Sequence, residues 1–129
     1  MAAYILDASA LIAFLRREPG AETVERVLAD CSISAVNWSE VVASFSRGTT
    51  PADAVRSTLA ALSPPIIPFD AELAVEAGLM AQATRSAGLS LGDRACLALA
   101  KRLGVPALTA DRAWASIAEA AGVEIVLIR

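Results

Sequence analysis

Tyr4-Ile5-Leu6-Asp7-Ala8-Ser9 decides how the rest of the sequence is read. Ile5 and Leu6 are strand-formers in an apolar run too short for a helix. Asp7 follows at once, and Ala10-Leu11-Ile12-Ala13-Phe14-Leu15 then reads as a buried helix. A strand that delivers a carboxylate and turns straight into a helix belongs to an open parallel sheet, where ligands sit beyond the carboxyl ends of the strands. Asp7 is placed there.

The remaining segments repeat this alternation. The first helix is expected to stop near Arg16-Arg17-Glu18, ahead of Pro19-Gly20, and residues 21–30 form an amphipathic helix with Val24, Val27 and Leu28 on one face. Residues 31–36 alternate as a second strand, and Asn37-Trp38-Ser39-Glu40 opens a helix that stops at Gly48. Thr50-Pro51-Ala52-Asp53 is a helix start, with the Thr50 hydroxyl as cap and proline in the first helical position. That helix ends at Ser63-Pro64-Pro65, and residues 66–69 make a brief strand interrupted by Pro68. Asp70 caps a long helix with Leu73, Ala77, Met80 and Ala81 inward. Residues 90–103 form the most apolar helix, expected to lie deep in the molecule and to end at Gly104. A strand over 105–109, a helix over 111–121 and a strand over 123–128 complete the chain. With no hairpin signal, the pattern predicts an α/β fold on a parallel sheet. There is no repeat, low-complexity tract or linker, so 1–129 reads as a single domain.

Composition narrows the chemistry. The chain has 129 residues, 56% of them hydrophobic, which suggests apolar surface covered by another chain. No apolar stretch approaches the roughly 18–20 residues that span a bilayer. The start lacks a basic region before its apolar residues, so a signal peptide is not expected and a cytoplasmic setting is. Cys31 and Cys96 are far apart and read as small core residues in a reducing compartment. The sequence contains no histidine, which excludes Ser-His-Asp and Cys-His nucleophiles and histidine zinc sites from this chain alone. The net charge of −3 argues against a generic nucleic-acid-binding surface.

Four acids share one local setting. Asp7, Glu40, Asp93 and Asp111 each lie at or within a turn of a helix start. Singly, each fits ordinary capping: Asn37-x-x-Glu40 and Ser90-x-x-Asp93 as capping boxes, Asp7 and Asp111 as N-caps. Asp70 is the control, since it follows a strand and caps a helix with nothing further to recommend it. Jointly they read differently. If the first, second and fourth strands are parallel neighbours, Asp7, Glu40 and Asp111 converge on one sheet edge, and a buried helix starting beside them adds Asp93. Clustered carboxylates either stay partly protonated or bind a cation. Hard oxygen ligands without histidine or cysteine select Mg²⁺ or Mn²⁺, ions that promote phosphodiester hydrolysis.

The segments Leu6-Asp7-Ala8-Ser9-Ala10-Leu11, Ser34-Ala35-Val36-Asn37-Trp38-Ser39-Glu40-Val41, Leu89-Ser90-Leu91-Gly92-Asp93-Arg94-Ala95-Cys96-Leu97-Ala98 and Leu108-Thr109-Ala110-Asp111-Arg112-Ala113-Trp114 carry a family resemblance over essentially the whole chain. Together, in this order, the sequence resembles the PIN-domain ribonucleases, and most closely the VapC toxins of VapBC toxin–antitoxin pairs. The resemblance implies a three-layer α/β/α sandwich with a central, mostly parallel sheet of four to five strands. It implies a Mg²⁺-dependent endoribonuclease, with Mn²⁺ as substitute, whose metal site maps onto Asp7, Glu40, Asp93 and Asp111. Ser9 and Thr109 match two hydroxyl positions the family places near its acids, and local capping is the alternative for both. Arg94 and Arg112 stand beside proposed ligands, where they could hold phosphates or balance carboxylates. Trp38 and Trp114 read as packing or interface residues. The resemblance further implies an RNA substrate, a homodimer and a VapB-type antitoxin. With the four acids set aside, ten acidic residues face eleven basic ones, so RNA binding should rest on metal and local arginines and be salt-sensitive.

Rival readings are a PIN-type RNA-processing nuclease without an antitoxin and a catalytically silent metal-binding interaction module. A phosphoacceptor domain fits less well, because Asp7 stands without an acidic neighbour and Lys101 lies at a helix end. A haloacid-dehalogenase-type phosphatase wants an aspartate where this chain has Ser9.

Overall fold

The computed structural model describes residues 2–129. Five short strands form one sheet: β1 (Tyr4–Leu6), β2 (Cys31–Ser34), β3 (Ile66–Ile67), β4 (Ala107–Thr109) and β5 (Ile125–Leu127). Their order is β3-β2-β1-β4-β5, and every pairing is parallel. The first strand is therefore central, with β2 on one side and β4 on the other. The carboxyl ends of β1, β2 and β4 stand side by side, as the sequence pattern anticipated.

Seven helices flank the sheet: α1 (Ala8–Leu15), α2 (Ala21–Val27), α3 (Ala35–Ser46), α4 (Ala52–Leu62), α5 (Ala71–Ala83), α6 (Leu91–Leu103) and α7 (Ala118–Ala121). Strand pleating sends successive side chains to opposite faces, which divides the core in two. Ile5 and Ala107 pack under α5, α6 and α7 with Leu73, Ala77, Leu97 and Leu99. Leu6 and Leu108 pack on the other face with Leu11, Val24, Ile33 and Val41. The result is a three-layer α/β/α arrangement. Ala95 to Ala100 of α6 are buried without a break, so the absence of a polar stripe in that stretch follows from its depth. Full burial of a leucine such as Leu97 contributes about 1.5–3 kcal/mol, and Leu97→Ala would cost about 2–5 kcal/mol. Gly104 then ends the helix with a left-handed backbone (φ 65°).

Several boundaries differ from the sequence reading. The second strand stops at Ser34 rather than residue 36, because the Ser34 hydroxyl accepts the Val36 amide and starts α3 two residues early. Asn37 is consequently inside the helix and not its cap. Pro51, not Thr50, occupies the cap position of α4. Ala81 is exposed, not inward. The expected helix over 111–121 is split into a 3₁₀ turn, Arg112–Ser116, and the short α7. Asp111 accepts the Ala113 amide and so tightens that first turn. Trp114 is fully buried, as a packing residue should be, and Cys31 and Cys96 are buried free thiols. No helix among the described residues is long and apolar enough to cross a membrane.

Candidate active site

Asp7 occupies the N-cap position of α1, yet its side chain makes no cap hydrogen bond. Its Oδ2 instead accepts from the Ser9 hydroxyl at 2.6 Å and the Thr109 hydroxyl at 2.8 Å. Those hydroxyls are oriented in turn by backbone amides. Ala110 N–H donates to Ser9 Oγ at 3.0 Å and Asp111 N–H donates to Thr109 Oγ1 at 3.0 Å. Each hydroxyl thus accepts a backbone amide just after β4 and donates its own hydrogen bond to the carboxylate. One oxygen of Asp7 is saturated, while Oδ1 has no hydrogen-bond donor among the described residues. Burial pushes the Asp7 carboxyl up to about 6; the two hydroxyls pull it down, and Asp93 and Glu40 add charge that raises it further. Asp7 is thus held desolvated, within electrostatic reach of two more acids.

Glu40 lies on α3, where burial raises its carboxyl, Asn37 lowers it and Asp93 raises it. Asn37 Nδ2 donates to Glu40 Oε2 at 3.1 Å and also to the Gly92 carbonyl at 2.9 Å, which joins α3 to the first turn of α6. Asp93 completes a capping box with Ser90: its Oδ2 accepts the Ser90 amide at 3.0 Å, and Ser90 Oγ accepts the Asp93 amide at 3.2 Å. Asp111 is exposed and caps its 3₁₀ turn, reaching Asp7 only through its amide and Thr109.

Capping therefore accounts for the hydrogen bonds of Asp93 and Asp111, while Asp7 and Glu40 are used otherwise. Asp93 lies close enough to raise the carboxyls of both Asp7 and Glu40, and Glu40 close enough to raise that of Asp7. Even so, no three His, Cys, Asp or Glu side chains among the described residues are gathered tightly enough to hold one metal ion. The capping bonds draw the Asp93 and Asp111 carboxylates toward backbone donors. The donor chemistry still fits a hard divalent cation, since these are carboxylate oxygens with a desolvated Asp7 among them.

The arginines fall into two groups. Arg94, read from sequence as holding a phosphate or balancing carboxylates, reaches into the α5–α6 interface, where Nη1 donates to the Ala77 carbonyl at 3.0 Å. That contact ties α6 to α5, whereas Arg112, next to Asp111 in the chain, is exposed. Gly92 is a site residue to which the sequence reading assigned no role, and Asn37 one that it read only as a cap. The available signal was Gly92 itself, a poor helix-former in the first turn of a strong helix.

Comparisons with known proteins agree with this fold. A DNA-bound VapBC complex from Salmonella typhimurium contains a chain of the same fold, with a TM-score of 0.78 and 15% identity over 100% of both chains. A toxin–antitoxin complex from Klebsiella pneumoniae gives 0.74 and 22% identity over 98% of each chain. FitAcB from Neisseria gonorrhoeae gives 0.74 and 20% identity over 97% of each. No curated protein sequence matches this one. The sequence profile of the PIN domain matches residues 4–120, nearly the whole sheet and both flanking helical layers, and the chain belongs to the PIN domain family.

Proposed function

We propose that this protein is a divalent-metal-dependent endoribonuclease, the toxin of a VapBC-type toxin–antitoxin pair. The observation that carries the reading is Asp7: a buried carboxylate at the end of the central strand, excused from capping, oriented by two hydroxyls and faced by two further acids. Such a group is held charged at a cost that local structure does not require. Asp7, Glu40, Asp93 and Asp111 would hold the ion, Mg²⁺ or Mn²⁺. When bound, it supplies activation of water and stabilisation of the leaving oxygen in phosphodiester hydrolysis. Ser9 and Thr109 hold Oδ2 of Asp7 and leave Oδ1 without a donor, and Asn37 restrains Glu40. Arg112 offers a cation to a backbone phosphate.

Partner chains are part of the proposal. Val75 and Leu79 on α5 are 60% exposed, and Leu62 and Leu91 also stand out into solvent. Such apolar surface supports a homodimer and a VapB-type antitoxin that covers the acids. The structural neighbours that are toxin–antitoxin complexes support the antitoxin partner.

The test is cleavage of total cellular RNA by the purified, antitoxin-free protein with Mg²⁺ or EDTA, beside Asp93→Asn. Discrete fragments that require both the metal and Asp93 are expected. Cleavage that persists in EDTA, or undiminished in the variant, overturns the mechanism. The separation of the acids favours one second reading, a metal-binding but catalytically silent module. Divalent binding without cleavage of any RNA would establish it.

A further inference from the structure

Glu40 differs from the other three acids in lying against the backbone of a neighbouring helix, α6. Its carboxylate lies against the backbone of Gly92 so closely that a methyl group there would sit 2.6 Å from Cδ and 2.8 Å from Oε2. Asn37, one turn earlier on α3 and fully buried, grips both partners with its two Nδ2 protons. Asn37 Oδ1 is buried with no partner among the described residues. The amide cannot turn over to relieve that oxygen, because Oδ1 would then face a carboxylate and a carbonyl.

Local structure explains neither residue. Ser34, not Asn37, caps α3. Gly92 is not among the residues of positive φ, and alanine is the better helix-former in its place. A buried amide with an unpaired oxygen and a glycine in a helix both carry a stability cost. They have one feature in common, the position of the Glu40 carboxylate.

We infer that Asn37 and Gly92 are positioning residues that seat the Glu40 carboxylate on the first turn of α6, beside Asp93. The functional consequence rests on the proposed role of Glu40 as a metal-binding acid. Gly92 leaves the space, Asn37 supplies the hold, and the helix N-terminus favours negative charge there. Without the hold, Glu40, whose residue is exposed overall, turns to solvent.

A cycle of four proteins tests the seat without reference to catalysis: wild type, Gly92→Ala, Glu40→Ala and the double variant, each melted in EDTA. Where Glu40 is present, Gly92→Ala pushes its carboxylate off the seat and away from Asn37, so the melting temperature should fall or rise by less than it does without Glu40. Where Glu40 is truncated, the same substitution should raise it by about 3–5 °C, as expected for a relieved helix glycine. An equal shift in both backgrounds overturns the seat. Calorimetric titration with Mn²⁺ gives the second readout. Gly92→Ala and Asn37→Ala, in the folded state, should each weaken binding about 10–100-fold. Undiminished affinity in both overturns the positioning role. A wild-type protein that binds no Mn²⁺ removes the metal reading instead, and the melting cycle alone then decides whether the seat exists.

Discussion

Asp7 follows β1 and precedes α1; Asp70 follows β3 and Phe69 and precedes α5. The two stretches share strand, acid and helix in sequence, and the fold puts their carboxylates to opposite uses. Asp70 lies at the sheet edge, accepts the Leu73 amide at 2.8 Å and pairs with Arg102 at 3.1 Å. That hydrogen bond from Arg102, followed by the Leu73 amide, holds its carboxyl below the ordinary range. Asp7 ends the central strand, is buried, caps nothing, has its carboxyl pushed up and meets two acids where Asp70 meets a cation. Capping uses a carboxylate that has lost nothing by folding. A buried carboxylate among like charges has lost hydration, a cost that capping does not account for.

The largest effect that would sharpen this contrast comes from Asp7→Asn. Cleavage should fall at least about 10²-fold, on the scale of losing a group that acts directly on the metal or the reacting phosphate. Stability of the metal-free protein should move the other way. The Asp7 carboxyl rises from the ordinary 3.8 to about 6 on folding. Below about pH 4 both folded and unfolded chains hold the proton, and burial of this group carries no charge penalty. Between pH 4 and 6 the unfolded chain loses its proton first, so stability falls as pH rises through that window. Above pH 6 the penalty is complete, at about 3 kcal/mol. In EDTA, Asp7→Asn should therefore be more stable than wild type at pH 7, with the difference vanishing near pH 4. Urea unfolding at several pH values checks it; equal slopes in the two proteins would break the comparison.

Next in size are the hydroxyls. Ser9→Ala and Thr109→Val each remove a donor from Asp7 Oδ2 and an acceptor from a backbone amide. Cleavage should drop about 10–100-fold, the range for partners that orient a metal-binding carboxylate. Because both hydroxyls lower the Asp7 carboxyl, each variant should titrate above about 6, which carboxyl NMR of the metal-free protein can follow. The smallest effect belongs to Asp70→Asn. It loses an exposed ion pair, retains a capping oxygen, and should melt a few degrees lower at neutral pH with cleavage unchanged. A loss of cleavage there would mean that the two aspartates are not functionally distinct.

Much of the contrast was legible in the sequence, and the unread part has a common cause. Strand–helix alternation identified a parallel sheet because its signals are local: short apolar runs, glycine stops and Ser90 with Asp93 as a capping box. Asp7, Asp93 and Asp111 could be placed at helix starts for the same reason, whereas Glu40 lies beyond the first turn of α3, which begins at Ala35. Whether Asp7 is buried depends on β1 lying between β2 and β4, a pairing with residues 27 and 102 positions away that no window of sequence contains. Asn37 looked like a cap because Ala35 and Val36 continue the alternation of β2, whereas the Ser34 hydroxyl had already started the helix. Its true partner, Gly92, is 55 residues distant. Arg94 was read by its neighbour in sequence, Asp93, while its guanidinium answers to Ala77 on the adjoining helix.

The central claim is that Asp7 anchors a divalent-ion site and Asp70 does not. Calorimetric titration of Mn²⁺ into the purified protein, Asp7→Asn and Asp70→Asn tests it most directly. The account predicts saturable binding to the wild type, the same binding to Asp70→Asn, and none measurable to Asp7→Asn at equal concentrations. Undiminished binding to Asp7→Asn would contradict it.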